Sequence, residues 1–316
     1  MNKLHCFFWI ISMWISLSTF AQTPPEQMLN DAKKGDSSAQ NSLGIWYYEH
    51  KENEQALEWW MKSANQENPS AYVNLGLYYY LNKSKESIKW YELGAKHDEV
   101  LAYRGLGNYY KFIEPEKEKS IYWYLKASEK GDSRSHYLLG QYYIEQDEST
   151  GLKYYLLAEE NGEIDALEKL SEYYFEKKDY VNALKYGVKG ATKGVPECQA
   201  LVGYLYAYGL GTDRNFEEAR YWTKRGAEAG SVVAQSNLGQ FYGNGDIGLP
   251  QDEEQALFWF KKAAQQGHLN SITNVGIYYL NQNDFEQAKY WLEIAANNGD
   301  TLAQRHLKML FKKNGK

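Results

Sequence analysis

AQSNLGQFYGNGDIGLPQDEEQALFWFKKAAQQG, residues 234–267, decides the fold, because variants of it recur along almost the whole chain. Aligned on its Leu-Gly step, the copies have anchors at Gly44, Gly76, Gly107, Gly140, Ser171, Gly203, Gly239 and Gly276. The intervals are 32, 31, 33, 31, 32, 36 and 37 residues. A period in the thirties marks a helical solenoid, in which a unit cannot bury its apolar face alone and needs stacked neighbours.

Comparing the copies with one another separates what every unit requires from what varies. Three residues after each anchor stands a tyrosine, from Tyr47 and Tyr79 to Tyr242 and Tyr279. One residue before it stands Leu or Val, and five before it a small residue: Ala39, Ala71, Ala102, Ser135, Ala166, Cys198, Ala234 or Ser271. On a helix turning about 100° per residue these offsets share one broad face, the packing face of a first helix. A second helix carries an aromatic pair, then small residues and a glycine: Trp259-Phe260, Ala263-Ala264 and Gly267, or Tyr290-Trp291, Ala295-Ala296 and Gly299. Small residues let helix backbones approach, and the glycine supplies a left-handed C-terminal cap. Each unit reads as helix, turn, helix, cap.

These residues resemble the Sel1-like repeat family, related to tetratricopeptide repeats, with its A-x-x-x-L-G-x-x-Y run, Gly-x-Gly loop, Asp, and A-x-x-W-Y-x-x-A-A-x-x-G run. Residues 234–267 match through Gly243, Gly245, Asp252, Ala256, Trp259, Ala263, Ala264 and Gly267. The preceding unit matches through Ala207, Gly209, Gly211, Ala219, Tyr221, Trp222, Ala227 and Gly230. The resemblance covers about residues 33–310 and implies an all-α, right-handed α/α superhelical solenoid of about eight repeats. The first five units lack the Gly-x-Gly loop and are shortened toward tetratricopeptide length.

The chain begins with Lys3, an apolar run from Cys6 to Leu17 and Thr19-Phe20-Ala21, which reads as a Sec-type signal peptide over 1–21. An uncleaved anchor is the alternative; after cleavage no stable membrane insertion is expected. Residues 22–32, with Pro24-Pro25, read as a linker, 33–299 as the repeat solenoid, and 300–316 as a C-terminal capping helix and basic tail, with Ala303, Leu307 and Leu310 apolar. Maturation leaves Cys198 alone, so no disulfide framework can form in the mature chain. A cysteine-rich branch of the family carries a disulfide in each repeat and is linked to penicillin binding and β-lactamase activity. This chain lacks those cysteines.

A net charge of −6 gives no general attraction for nucleic acid. The 29 tyrosines are absorbed mostly by repeat packing positions, so they do not by themselves make a carbohydrate platform. Gly243-Asn244-Gly245-Asp246-Ile247-Gly248 has the letters of a dinucleotide loop but follows a helix rather than a strand, and reads as the repeat's own turn. His50, His97, His136, His268 and His306 fall at different offsets in different units and form no metal-ligand pattern. Asp252-Glu253-Glu254 opens a second helix, where negative charge complements the helix dipole. No metal, cofactor or catalytic residue is expected.

Offsets −6, −3, −2 and +1 of the first helices project away from the packing face and change chemistry between units. First helices line the concave side of such solenoids, so this set forms the expected groove. Tyr137, Leu138, Leu201 and Tyr204, with Glu168 and Glu172, are the candidate partner contact, because apolar anchors beside charges are typical interface centres. The reading is an exported scaffold, periplasmic or secreted, that binds a protein or peptide on its concave face and performs no chemical step. The resemblance adds two partner types, a membrane sensor domain and a toxic lipase effector neutralised by a periplasmic immunity protein. A β-lactamase-like or peptidoglycan-active enzyme is the alternative of another class.

Overall fold

The computed structural model describes residues 23–314, whose regular structure is entirely α-helical. The expected signal segment, residues 1–21, lies outside the described residues. The chain divides into two compact units that abut in sequence at Lys130 and Gly131. The first holds α1 (Glu26–Lys33), α2 (Ser37–Glu49), α3 (Asn53–Ala64), α4 (Pro69–Leu81), α5 (Glu86–Lys96), α6 (Val100–Phe112) and α7 (Lys117–Glu129). The second holds α8 (Ser133–Tyr143), α9 (Glu148–Glu160), α10 (Asp165–Glu176), α11 (Tyr180–Thr192), α12 (Pro196–Tyr208), α13 (Phe216–Glu228), α14 (Val232–Asn244), α15 (Glu253–Gln265), α16 (Leu269–Asn281), α17 (Phe285–Asn297) and α18 (Thr301–Asn314).

From α2 to α17 the helices pair as first and second members of a repeat, and each pair packs more closely than either member does on the next repeat. The pairing has a steric cause. The anchor glycine leaves a hollow in the first helix, and a side chain of the second helix fills it: the second residue of the aromatic pair in five repeats, and the residue after the pair, Thr223 or Leu292, against Gly203 and Gly276. A Cβ at Gly76 would stand 2.5 Å from the Tyr91 ring and one at Gly140 2.5 Å from the Tyr155 ring, while Trp60, Tyr124 and Phe260 cover Gly44, Gly107 and Gly239. The repeat α10/α11 inverts the fit: its anchor is Ser171, and the facing position is Gly187. Around this contact the Leu or Val position is buried in every repeat, and the small position is fully buried from Ala71 onward.

Second helices end where glycine can turn left-handed. Gly131, Gly162, Gly194, Gly230, Gly267 and Gly299 have φ between +83° and +98°, a region that costs an L side chain roughly 1–2 kcal/mol. Glu67 and Asp98 stand at the same position with φ of +57° and +60°. First helices show the same split. Gly209 and Gly245 cap α12 and α14 in the left-handed region, whereas Lys51, Lys83, Lys178 and Asn283 make the tighter turns of units without the Gly-x-Gly loop.

Residues 26–32 of the expected linker instead belong to α1, Glu26–Lys33. Ala32-Lys33-Lys34-Gly35 reproduces the A-x-x-G ending of a second helix, with Ala32 buried and Gly35 at φ +101°. The aromatic pair is missing there, which hid the helix in the sequence. At the other end Ala303 and Leu307 of α18 join the core of Val275, Leu292 and Ala295, covering the last repeat.

Successive repeats are also tied by glutamines one residue after the small position. Gln40, Gln199, Gln235 and Gln304 donate through Nε2 to the carbonyls of Ala32, Ala191, Ala227 and Ala296, at 3.1, 3.1, 3.1 and 3.3 Å. Gln66 and Gln266 extend this relay by donating to Oε1 of Gln40 and Gln235 at 2.7 and 2.9 Å. The position equivalent to Gln266 in α12/α13 is Ala229, and Gln199 Oε1 is left buried without a partner.

Candidate partner-binding face

Successive first helices touch one another within each unit: α2, α4 and α6 in the first, and α10, α12 and α14, then α16 and α18, in the second. Second helices do not pack on one another to any comparable extent. Within each unit the first helices therefore line up with the second helices behind them, and side chains that leave the first helices of a unit away from their pair share a face.

Offsets −6, +1 and +5 are the open positions of that face, and −2 is half-covered. Offset −3 belongs mostly to the packing side, as Val73, Tyr137, Ala200 and Thr273 are all buried. This corrects the candidate site. Tyr137 and Leu138 are 7% and 9% exposed, so neither is the wet apolar group the sequence suggested. The Tyr137 ring centroid lies 5.9 Å from that of Tyr155, the Arg134 guanidinium sits 4.8 Å above it, and its hydroxyl accepts from Gln141 Nε2 at 2.9 Å. A helical wheel gives the faces of one helix but not which of them its neighbours cover, and α9 behind α8 reaches further round than the wheel implies.

The other four residues come together on α10 and α12. Lys169 Nζ donates to Glu168 at 3.0 Å and to Glu172 at 2.8 Å. Burial works to lower the Lys169 pKa, but the bonds and charges of the two glutamates outweigh it and hold the ammonium above the usual lysine range. Two carboxylates share one cation, which leaves this patch with a net negative charge. Beside it, half-buried Leu201 and Tyr204 project from α12. The Tyr204 ring lies 4.5 Å from that of Tyr208 and meets Phe175 edge-on at 5.8 Å. Tyr208, 43% exposed at offset +5, and Phe175 at +4 were absent from the sequence-based site. Both continue the stripe from offset +1 by the helical steps i+3 and i+4, which was the signal available for finding them.

Other groups that could have suggested chemistry are absorbed by structure. Asp252 caps α15 by accepting from the Gln255 N–H at 2.9 Å, with Glu253 and Glu254 in the first turn. The His50 ring stacks on Trp46 at 3.7 Å, and His268 Nδ1 lies 2.9 Å from Ser271 Oγ. Cys198 is fully buried 3.7 Å from Ser171 Oγ, and burial pushes its thiol up to about 12. Among the described residues no helix is long and apolar enough to cross a membrane.

An array of paired helices, locked at a glycine hollow and in most repeats capped by a glycine turn, is a helical repeat scaffold of the solenoid class. The family model for the Sel1 repeat matches residues 37–68, 100–132, 135–163, 196–231, 232–268 and 272–300, and the chain belongs to that family. The unmatched stretches include the repeat with Ser171 at the anchor and the one with Asp98 at the cap. Among solved structures, a protective antigen present in uropathogenic Escherichia coli strains, with an SLR fold, is 25% identical. It is similar over 92% of this chain and 68% of its own, at a TM-score of 0.79. A Sel1 repeat protein from Oxalobacter formigenes is 24% identical over 95% of this chain and 98% of its own, at a TM-score of 0.69. No curated protein matches this chain in sequence. Sel1 repeat proteins are generally protein–protein interaction scaffolds, and the fold is typically non-enzymatic.

Proposed function

We propose that this chain is an exported scaffold that binds a protein or peptide partner on the concave, first-helix face of its second unit, at Glu168, Glu172, Leu201 and Tyr204. The observation that carries the reading is the half-exposed ring cluster of Phe175, Tyr204 and Tyr208 beside the shared-lysine carboxylates. Aromatic anchors next to charges concentrate binding energy when a partner removes them from water. Tyr137 and Leu138 serve as the packed wall of α8 rather than as contacts. Export is supported by Lys3, the apolar run after it and Thr19-Phe20-Ala21.

The test is capture from the native envelope by the parent chain beside a Leu201→Ala, Tyr204→Ala variant, after circular dichroism shows both equally helical. A protein held by the parent and lost by the variant is the expected result. Equal capture would move the interface off α12, and capture by neither would remove the scaffold reading.

A further inference from the structure

The same face carries a second feature further along the chain. Between the open faces of α14 and α16 lies a cleft of about 500 Å³, lined also by Ala256, Leu257 and Phe260 of α15 and by Asp300 and Leu302. Its rim is rich in amides: Gln240 from α14, and Asn270, Asn274 and Asn281 from α16. Among the described residues none of these four side chains has a hydrogen-bond partner. Most amides elsewhere on first helices do: Asn74 donates to Asn41 at 2.8 Å, and Gln141 to Tyr137 at 2.9 Å. A primary amide offers both a donor and an acceptor. Four of them left free around one cleft are matched by a ligand that alternates N–H and C=O.

Their spacing selects an extended chain. Asn270, Asn274 and Asn281 stand four and seven residues apart on one stripe of α16, about 6 and 10 Å along a helix rising about 1.5 Å per residue. A strand rises about 3.3 Å per residue, so these separations correspond to about two and three residues of peptide. Charge selects further, because Glu253 and Asp300 line the cleft and no Lys, Arg or His does. Burial works to raise the Asp300 pKa, but the Ala303 N–H at 2.8 Å and the Thr273 hydroxyl at 2.9 Å hold it below the usual range, so it is ionised at neutral pH.

We infer that this cleft binds an extended peptide segment carrying lysine or arginine. Gln240, Asn270, Asn274 and Asn281 would pair with its backbone, and its cationic side chain would reach Glu253 or Asp300. This rests on the scaffold reading and adds to it the chemistry of the partner.

The experiment is fluorescence anisotropy on the full chain. The probes are two labelled decapeptide pools of Ala, Ser, Val and Leu, one containing Lys and the other Glu, with chitotetraose as an unlabelled competitor. The Lys pool should bind and the Glu pool should not. Asn274→Ala with Asn281→Ala, which keeps helix-favouring residues in α16, should weaken binding about tenfold or more. Glu253→Gln with Asp300→Asn, which keeps the α18 cap, should erase the preference for Lys. Equal affinity for both pools, indifference to the asparagine variant, displacement by the oligosaccharide, or no binding would each overturn the inference. Failure here with envelope capture still dependent on Leu201 and Tyr204 leaves the scaffold reading standing; loss of capture altogether defeats that reading whatever the peptides do.

Discussion

At the residue scale, the anchor glycine carries the most structural weight, and not all helical glycines are equivalent. The Tyr155 ring that would meet a Cβ at Gly140 is itself only 4% exposed and has nowhere to withdraw. Overpacking at Gly140→Ala should cost about 1–3 kcal/mol against the roughly 1 kcal/mol that alanine gains in helix propensity, so the protein should be destabilised by up to about 2 kcal/mol. Gly243 is the control, since its Cβ would find only Ala256 at 3.7 Å, an ordinary contact. Gly243→Ala should stabilise by about 0.5 kcal/mol. Opposite shifts of the urea midpoint at unchanged slope are the expected outcome; equal shifts would show that the hollow does not hold the pair together. The repeat with Ser171 and Gly187 points the same way, for there the space is supplied by the second helix instead of the first.

At the scale of the element, the glutamine relay exposes a specific defect. In α2/α3 and α14/α15 the buried glutamine receives a bond from a second glutamine just before the cap, and in α12/α13 that donor is missing because the position is Ala229. Ala229→Gln should supply it. An unsatisfied buried acceptor costs about 1–3 kcal/mol, and ordering a glutamine side chain costs about 1.5–2 kcal/mol, so the net gain is expected to be small, no more than about 1.5 kcal/mol. The measurement is the melting temperature of Ala229→Gln alone and in a Gln199→Met background, where no acceptor remains. A gain of equal size in both would refute the relay. The packing positions of the repeat were legible in the sequence because each unit repeats the same contacts, so Leu139, Gly140 and Tyr143 could be assigned from their counterparts. The identity of the free face was not, because it depends on which neighbours flank a helix. That is why Tyr137 read as exposed and Tyr208 was passed over. Helix α1 was hidden for a related reason: Ala32 and Gly35 carry the ending of a second helix without the aromatic pair that identifies one.

For the molecule as a whole, the periodic pattern made the architecture readable, and it also limits how far a perturbation can travel. Within the second unit each helix packs on its partner and on the adjacent repeat, and α12, for example, contacts only α10, α11, α13 and α14 extensively. Stability in such an array is close to a sum of repeat and nearest-neighbour contributions, so unfolding can be local. Gly276→Ala tests this, because its Cβ would stand 2.7 Å from Cγ of Leu292, which is fully buried in the core shared by α16, α17 and α18. A cost of about 1–3 kcal/mol corresponds to a roughly 5- to 150-fold fall in hydrogen-exchange protection. That fall should be confined to α16, α17 and α18, reach α14 and α15 more weakly, and leave α8 to α11 unchanged. The arrangement matters for binding, since the amide cleft between α14 and α16 would then loosen while the Tyr204 cluster kept its geometry. A uniform loss of protection across residues 131–314 would instead mean that the unit unfolds as one cooperative block, with the two surfaces energetically coupled.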